Sequence, residues 1–183
     1  MTAVMISIHP KWCGLIASGK KVVEVRKTRP KLKVPFKCYI YCTKDRKQQF
    51  WTGKRYFYVD DRSHNAFDKC CNGKIIGTFI CDEITAFPAE CSAAWLVANS
   101  RITAIELGRY AGDNDNLYAW HISELKIYEQ PKELSQFEKP CSYNCKECKY
   151  FYIGSLEEPP SCEWEDFAIS KPPQSWCYVE VAE

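Results

Sequence analysis

Residues 6–27 read ISIHPKWCGLIASGKKVVEVRK and contain the most informative local pattern of the chain. The apolar run VMISI at 4–8 predicts a strand, and Pro10 soon after it is a residue type favoured in the first turn of a helix. Gly19 stands where a short helix would end. Residues 22–27, VVEVRK, alternate as a second strand does. The stretch therefore predicts a strand, a short helix and another strand in direct succession.

Three charged side chains surround the start of this second strand. Glu24 and Arg26 are two residues apart and share one face, while Val23 and Val25 share the other and favour a core. Lys21 reaches the charged face only if it lies in the turn before regular alternation begins. Such a cluster can bind the donor and acceptor edge of a base or contact a phosphate. The alternative is a surface ladder of charges that contributes little.

The charge of the chain is distributed unevenly. The 183 residues have a net charge of +2. Residues 1–56 contain fourteen Lys and Arg against two acidic residues, a balance of +12, and residues 57–183 contain eleven against twenty-one, a balance of −10. A basic half of this density attracts polyanions, above all nucleic acid. A solvated basic face that only aids solubility is the alternative.

Composition also excludes several protein classes. No uncharged run approaches the roughly 20 apolar residues of a membrane-spanning helix. The N-terminus MTAVMISIHP lacks the basic residues and the cleavage site of a secretory signal. We therefore expect a cytoplasmic protein with no membrane partner. Twelve cysteines fall below the ~8–10% that marks a disulfide scaffold, so free thiols or metal ligands are expected.

The later chain mixes strands with short helices. A helix is expected at 92–99, and Thr103 with Glu106 has the spacing of a capping box at the start of another. We expect Pro131 to end the strand that precedes it, because proline cannot donate to a sheet ladder. Further strands are predicted at 38–43, 74–84, 117–129 and 175–181.

This order of elements lacks the regular alternation of a doubly wound sheet and favours an α+β fold, a small mixed β-barrel with short helices. Residues 1–139 are expected to form the barrel domain, with the aromatic and polar stretch at about 44–73 inserted as a candidate lid. From Pro140 the sequence becomes acidic and rich in cysteine. Residues 140–183 therefore predict a cysteine-rich annex that ends in a short strand.

The stretch at 6–27 resembles the ASCH domain, a branch of the PUA-like superfamily. Segments 73–84 and 118–137 are similar to a middle and a closing strand of that family. The resemblance implies a PUA-like barrel and an RNA- or nucleotide-binding module whose cleft lies between the first helix and the barrel. The family typically has a strand, a helix ending in Ser-Gly, then a Lys, a Glu and an Arg, matched here by Ser18, Gly19, Lys21, Glu24 and Arg26.

The resemblance also raises the possibility of catalysis. One branch of the superfamily hydrolyses the amide of N4-acetylcytidine, where the resemblance implies a Lys that assists a Thr nucleophile three residues later, together with a distant Glu. Lys21 matches that Lys, but Glu24 stands at the Thr position. Glu24 is instead a candidate general base if its pKa is tuned for that role. Family members described as ribonucleases provide a third hypothesis.

Aromatic residues near this stretch strengthen the nucleic-acid hypothesis, because unstacked bases gain ~1–3 kcal/mol on an aromatic ring. Tyr118 and Trp120 share a strand face opposite His121, so the strand cannot present all three to one site. We expect Trp120 in the core, and His121 is either a site residue or part of the packing. The candidate nucleic-acid-binding residues are Trp12, Lys20, Lys21, Glu24, Arg26, Lys27, Arg29, Tyr118 and His121.

The annex contains four cysteines in the pattern C-x3-C-x2-C-x13-C, at Cys141, Cys145, Cys148 and Cys162. Four thiolates can surround a tetrahedral ion and leave no open coordination position, so the pattern predicts a structural zinc rather than a catalytic one. An annex as small as residues 140–183 needs a cross-link such as a bound metal ion to be stable. Unrelated reduced thiols are one alternative, and an iron–sulfur cluster on the same four sulfurs is another.

Overall fold

The structure is a computed structural model that describes residues 2–44, 49–51, 53, 56–58, 71–89, 94–140, 151–152, 161–162 and 168–181. Its strands are β1 (Thr2–Ile8), β2 (Val23–Arg26), β3 (Phe36–Cys42), β4 (Gln49–Trp51), β5 (Tyr56–Tyr58), β6 (Ile75–Cys81), β7 (Ile84–Pro88), β8 (Asn116–His121), β9 (Ser123–Lys132), β10 (Phe137–Glu138), β11 (Phe151–Tyr152), β12 (Ser161–Cys162) and β13 (Trp176–Val181). The helices are α1 (Pro10–Ala17), α2 (Ala94–Ser100) and α3 (Ala104–Ala111), and a 3-10 turn covers Leu134–Gln136.

The largest sheet has six strands in the order β10-β13-β1-β3-β6-β9. Strand β1 runs parallel to β3, and the other neighbours in the sheet are antiparallel. The sheet is covered on both faces, because alternate residues of β1 enter two different clusters. Val4, Ile6 and Ile8 pack with Cys13 and Ile16 of α1. On the opposite face, the two core residues of β1 join a second cluster that includes Tyr39, Phe137 and Val179.

A smaller sheet in the order β2-β8-β7 carries the charged strand. Val23 and Val25 pack against Leu96 and Leu107 of α2 and α3, as their alternation predicts. Trp120 on β8 is fully buried in the cluster beneath α1, so its assignment to the core is confirmed. The charged face of β2 is therefore directed away from α2 and toward the larger sheet.

The predicted α+β class is confirmed, but the predicted barrel closure is wrong for the strands that the structure describes. These strands form separate sheets of six, three, two and two strands. No hydrogen-bonded pairing among the described strands joins the edge strands β9 and β10 of the largest sheet to each other or to the β2-β8-β7 sheet. Side-chain packing, rather than a closed ladder, holds the two larger sheets together.

The predicted strand at 117–129 is divided in the structure. Ile122 separates β8 from β9, and the two strands belong to different sheets. The expectation that Pro131 ends the strand is also wrong, because β9 continues to Lys132. Since β9 is an edge strand, a residue without an N–H is tolerated there. The capping box at the start of α3 is confirmed, with Thr103 and Glu106 each bonded to the other's backbone N–H.

The last strand of the chain belongs to the largest sheet. Strand β13 pairs with β1 along Thr2↔Glu180 to Ile6↔Trp176, and Ile169 is buried beside Phe137. Residues 168–181 thus pack on the first part of the chain although the sequence assigns them to the annex. The four annex cysteines are outside this description: Cys141, Cys145 and Cys148 are not among the described residues, and only the backbone of Cys162 is.

The predicted insertion at 44–73 is described only in part. Strands β4 and β5 pair as an antiparallel hairpin within it. Most of its other residues lie outside the described ranges, so its role as a lid stays a prediction. Across the described ranges, the helices are all too short to cross a bilayer.

Candidate functional site

The turn between α1 and β2 brings the charged residues together. Gly19 adopts φ +70°, a left-handed conformation that glycine reaches without strain, and its N–H donates to the carbonyl of Ile16. The N–H groups of Lys20 and Lys21 both donate to the carbonyl of Leu15. Lys21 therefore lies in the turn before β2 begins at Val23, which is the condition for it to meet Glu24.

Lys21, Glu24 and Arg26 form a buried ion cluster. Lys21 Nζ lies 3.2 Å from Glu24 Oε2, and Arg26 Nη1 donates to Glu24 Oε1. The three residues are 1%, 3% and 8% exposed, so the interpretation as a surface ladder is wrong. Burial of three charges is costly unless each is paired and hydrogen-bonded. Backbone carbonyls supply the further bonds.

Two of these carbonyls come from distant parts of the chain. Lys21 Nζ donates to the carbonyl of Ser100 at the end of α2, over 2.8 Å. Arg26 Nη2 donates to the carbonyl of Ser7 on β1, and Nη1 donates to the carbonyl of Val25 over 2.9 Å. The cluster thus connects β2 to the larger sheet on one side and to the end of α2 on the other.

The pKa of Glu24 lies below its usual value. Burial alone would raise the pKa, but the positive charges of Lys21 and Arg26, together with the hydrogen bond from Arg26, more than offset it. Burial lowers the pKa of Lys21, and the neighbouring carboxylate of Glu24 opposes that effect. Glu24 is therefore an ionised hydrogen-bond acceptor at neutral pH.

A cavity of about 250 Å³ lies over this cluster. Glu24, Val25 and Arg26 contribute from β2, Trp12 from α1, and Glu106 and Tyr110 from α3. Its remaining lining residues are Ser7, Ile8, His9 and Ile102. Two buried polar atoms of the lining residues have no hydrogen-bond partner among the described residues: Glu24 Oε2, which faces Lys21 only as an ion pair, and Arg26 Nε. Unsatisfied buried groups are rare in native proteins and indicate a place for a ligand or ordered water.

The structure brings together only some of the predicted site residues. Trp12 lines the cavity, and its ring centroid is 5.2 Å from Lys21 Nζ. Lys21 itself is behind Glu24 and does not line the cavity. Lys27 lies over the Tyr110 ring at 5.4 Å, at the border of the cavity.

The other four predicted residues lie elsewhere. Lys20 is exposed, and its carbonyl accepts a bond from Arg101. Arg29 lines a different cavity. Tyr118 packs against the core beneath α1, and His121 Nδ1 is 2.7 Å from Asp82 Oδ1 at the surface. Arg29, Tyr118 and His121 therefore do not line the cavity over Glu24, and their part in nucleic-acid binding stays a prediction.

The cavity wall formed by α3 and the residues just before it has no local signal in the sequence. Tyr110 and Ile102 line the cavity about 80 residues after β2 in the chain, and no local pattern links them to it. The sequence identifies Glu106 only as a capping residue of α3 and not as a residue of the cavity. Its carboxylate accepts hydrogen bonds from the N–H and the hydroxyl of Thr103. His9 could have been identified from its place between β1 and α1, which is where the resemblance implies the cleft.

The predicted zinc site remains a prediction. Among the described residues, no group of three or more His, Cys, Asp or Glu side chains is arranged to hold a metal ion. The side chains of Cys141, Cys145, Cys148 and Cys162 lie outside those residues. The cavity over Glu24 has only one fully buried carboxylate and two cations around it, which is unfavourable for a metal cation.

The lowered pKa of Glu24 predicts a loss of stability in acid. A carboxyl group with a lower pKa in the folded state stabilises that state above its unfolded pKa, near 4.5, and the contribution disappears as the pH falls toward the folded value. We expect the Tm of the wild type to fall more steeply below that pH than the Tm of Glu24→Gln. Calorimetry at constant ionic strength measures both. The pKa values of Asp82 and Glu106 are also lowered, but these two residues contribute the same acid-dependent loss of stability to the wild type and to the variant. Equal acid slopes would contradict the assignment.

Comparison with known proteins is consistent with this architecture. No curated protein matches the sequence significantly. The crystal structure of ASCH from Zymomonas mobilis matches with a TM-score of 0.57 and 16% identity, over 97% of this chain and 87% of that chain. Two variants of that protein, one Tyr to Phe and one Ser to Ala, match with TM-scores of 0.53, at 15% and 16% identity. They cover 97% of this chain, and 90% and 88% of theirs. The ASCH domain family model matches residues 6–161, and because that range is most of the chain, the protein belongs to the ASCH family and has its PUA-like fold.

Proposed function

We propose that this protein binds RNA or a nucleotide and that one base enters the cavity over Glu24 and Arg26. ASCH domains are broadly RNA-binding, which supports a ligand of this class. The basic character of residues 1–56, which supply Trp12, Glu24 and Arg26, supports it further because that charge attracts a polyanion.

The observation that carries the proposal is the pair of unsatisfied polar atoms in the lining residues. Arg26 Nε is a buried donor without a hydrogen-bond partner among the described residues, and Glu24 Oε2 is a buried acceptor that faces only the Lys21 ammonium, 3.2 Å away. The edge of a nucleobase presents donors and acceptors side by side, and a Glu carboxylate accepts from an exocyclic amino group such as that of cytosine. A base that bonds to both atoms would relieve the cost of leaving them buried.

The size and the walls of the cavity suit a single base. Ligand pockets for drug-sized molecules enclose ~300–1,000 Å³, and this cavity of about 250 Å³ is just below that range. Trp12 and Tyr110 provide aromatic surface on two sides, from α1 and from α3. Such rings accept any base by stacking, while the polar pair selects among bases by hydrogen bonding.

The charge state of Glu24 favours binding over catalysis. A general base works best with a pKa near the working pH, whereas the pKa of Glu24 is held below its ordinary value. Lys21 Nζ is directed to Glu24 and to the Ser100 carbonyl and does not line the cavity. Hydrolysis of N4-acylated cytidine with Glu24 as the general base therefore has less support, and ribonuclease activity stays a separate hypothesis.

Replacement of Trp12 tests the proposal. We expect Trp12→Ala to weaken binding of nucleoside monophosphates and short single-stranded RNA by about 5- to 150-fold, which corresponds to the ~1–3 kcal/mol of one stacked base. The matched control is Trp95→Ala, since Trp95 is 51% exposed on α2, stacks on Phe87 and is not part of the cavity wall. Isothermal titration calorimetry at low salt measures both variants.

A second variant protects the test against misfolding. Trp12 is half-buried against the core, so the Tm of the Trp12→Ala variant must be measured before its binding. If Trp12→Ala is unfolded, Tyr110→Ala replaces it, because Tyr110 is 36% exposed and lines the same cavity. The proposal fails if the wild type binds none of the nucleotides or RNAs at low salt, or if the cavity variants bind as tightly as Trp95→Ala.

A further inference from the structure

The segment between β2 and β3 presents a row of cations. Arg29, Lys31, Lys33 and Lys37 are exposed, while Pro30 and Phe36 between them are buried and Leu32 packs against the core. Over 29–33 the chain therefore alternates charged residues outward with apolar residues inward without forming a strand, and Val34 and Pro35 after it are exposed. We call Arg29, Lys31, Lys33 and Lys37 the basic row.

The basic row is held in place by the last strand of the chain. The hydroxyl of Thr28 accepts a bond from Trp176 Nε1 at 3.0 Å, and the Lys31 N–H donates to the hydroxyl of Tyr178 at 2.7 Å. Trp176 in turn packs beside the buried Trp120, with ring centroids 6.0 Å apart. A segment without regular secondary structure is thus fixed at two points, so less conformational entropy is lost when it binds a ligand.

Two adjoining cavities follow the basic row. One of about 550 Å³ is lined by residues 29–34 and Ile84, and the other, of about 670 Å³, extends past Lys37 to Thr2 and Tyr39. They share Leu32 and Lys33 and therefore adjoin, and we call the two cavities together the groove. Among the described residues, Glu124 is the only acidic residue that lines it. Within the described ranges, none of the four cations forms a salt bridge.

The groove begins close to the base cavity. Glu24 lies directly opposite Trp120 in the β2-β8-β7 sheet, and Trp120 lies directly opposite Ile84. Directly opposed residues share a face, and two strand spacings separate Glu24 from Ile84 by ~10 Å. Glu24 lines the base cavity and Ile84 lines the groove. A ligand of a few nucleotides is long enough to span this distance.

We propose that this groove binds the sugar-phosphate backbone of a single-stranded RNA whose one base occupies the cavity over Glu24. The inference rests on the proposed function and narrows its ligand from a free nucleotide to a strand. A basic groove that follows the backbone next to a base-stacking site is typical of single-strand binding. A duplex is disfavoured, because its bases are stacked and cannot enter a cavity sized for one base without being unpaired.

Neutralising two cations of the row tests the inference. Each phosphate contact with a single strand contributes ~0.7 to the slope of log K against log salt, so Lys31→Ala/Lys33→Ala is expected to lower that slope by ~1.4. Its affinity for a nucleoside monophosphate should be unchanged. The matched control is Lys139→Ala/Lys171→Ala, which removes the same charge from exposed sites outside the groove. Fluorescence anisotropy with a labelled RNA of about ten nucleotides measures the slopes.

The outcomes separate this inference from the function on which it rests. If the Lys31/Lys33 variant has the same salt slope as its control while Trp12→Ala still weakens mononucleotide binding, the groove is overturned and the base site stands. If the lysines matter but Trp12→Ala changes nothing, the base site fails and the combined ligand with it. Equal affinity for duplex RNA, heparin or anionic vesicles would also overturn the single-strand assignment.

Discussion

Glu24→Gln should destabilise the protein by about 3–5 kcal/mol, the usual cost of removing one partner from a buried ion pair. The Glu24 carboxylate lies between Lys21 and Arg26, and all three side chains are shielded from water. An amide at this position has one oxygen, so its NH₂ group must face either the Lys21 ammonium or the Arg26 guanidinium. Both of these groups are donors only. A donor would then oppose a donor, and one cation would lose its acceptor. Urea denaturation followed by circular dichroism measures the change.

A surface ion pair provides the matched control for Glu24→Gln. Glu133 Oε1 lies 2.9 Å from Lys74 Nζ, with the two side chains 59% and 40% exposed. Glu133→Gln is therefore expected to cost less than ~1 kcal/mol. The double variant Lys21→Met/Glu24→Gln should be more stable than Glu24→Gln alone, because it removes the buried ammonium that lost its partner. The buried cluster has no special energetic role if Glu24→Gln costs no more than Glu133→Gln.

Gly77→Ala should destabilise the protein by ~3 kcal/mol, at the upper end of the range for overpacking. Gly77 lies on β6, where the pairing with β9 shifts register. A Cβ added there would stand 2.3 Å from the carbonyl oxygen of Lys126 and 3.0 Å from Ile127 Cα. Both of these are backbone atoms of β9, so the strands must separate to admit the methyl group. Thermal and urea unfolding report the loss.

Gly108 supplies the opposite result for the same substitution. It lies within α3 and is exposed, and a Cβ there meets no atom within 4 Å. Gly108→Ala should therefore stabilise the protein by ~0.5–1 kcal/mol, because alanine loses less backbone entropy in a helix. If the two substitutions have similar effects on unfolding, the close approach of β6 and β9 is not a feature of the folded protein.

Much of the region around β2 could be predicted because its signals are local. The position of Pro10 and Gly19 defines α1 to within a few residues, and the alternation of 22–27 separates the core valines from the charged face. The capping box at the start of α3 could also be predicted from the sequence, since its two residues are three positions apart and contact each other directly. Each of these signals acts within one turn of a helix, at its start or at its end, or through strict alternation within one strand.

The strand predictions that differ from the structure have a common cause, because the sheet to which a strand belongs depends on partners that are distant in the sequence. The run at 117–129 alternates as one strand does, yet Ile122 divides it between two sheets with different neighbours. Nothing within 175–181 indicates that it pairs with the first strand of the chain. The sequence predicts a strand end at Pro131, but the edge position of β9, where a missing N–H is tolerated, is a property of the assembled sheet.

The amino-acid sequence alone determined that Lys21, Glu24 and Arg26 follow a short helix, that the two valines between the charges enter a core, and that the basic residues concentrate in the first third of the chain. Only the tertiary structure decided that the three charges are buried, because the groups that enclose them come from Ser7, from Ser100 and from α3. The Lys21–Ser100 contact spans 79 residues of chain. The alternation of residue types along a strand indicates on which face each side chain lies. Whether that side chain is buried depends on which other parts of the chain pack against that face.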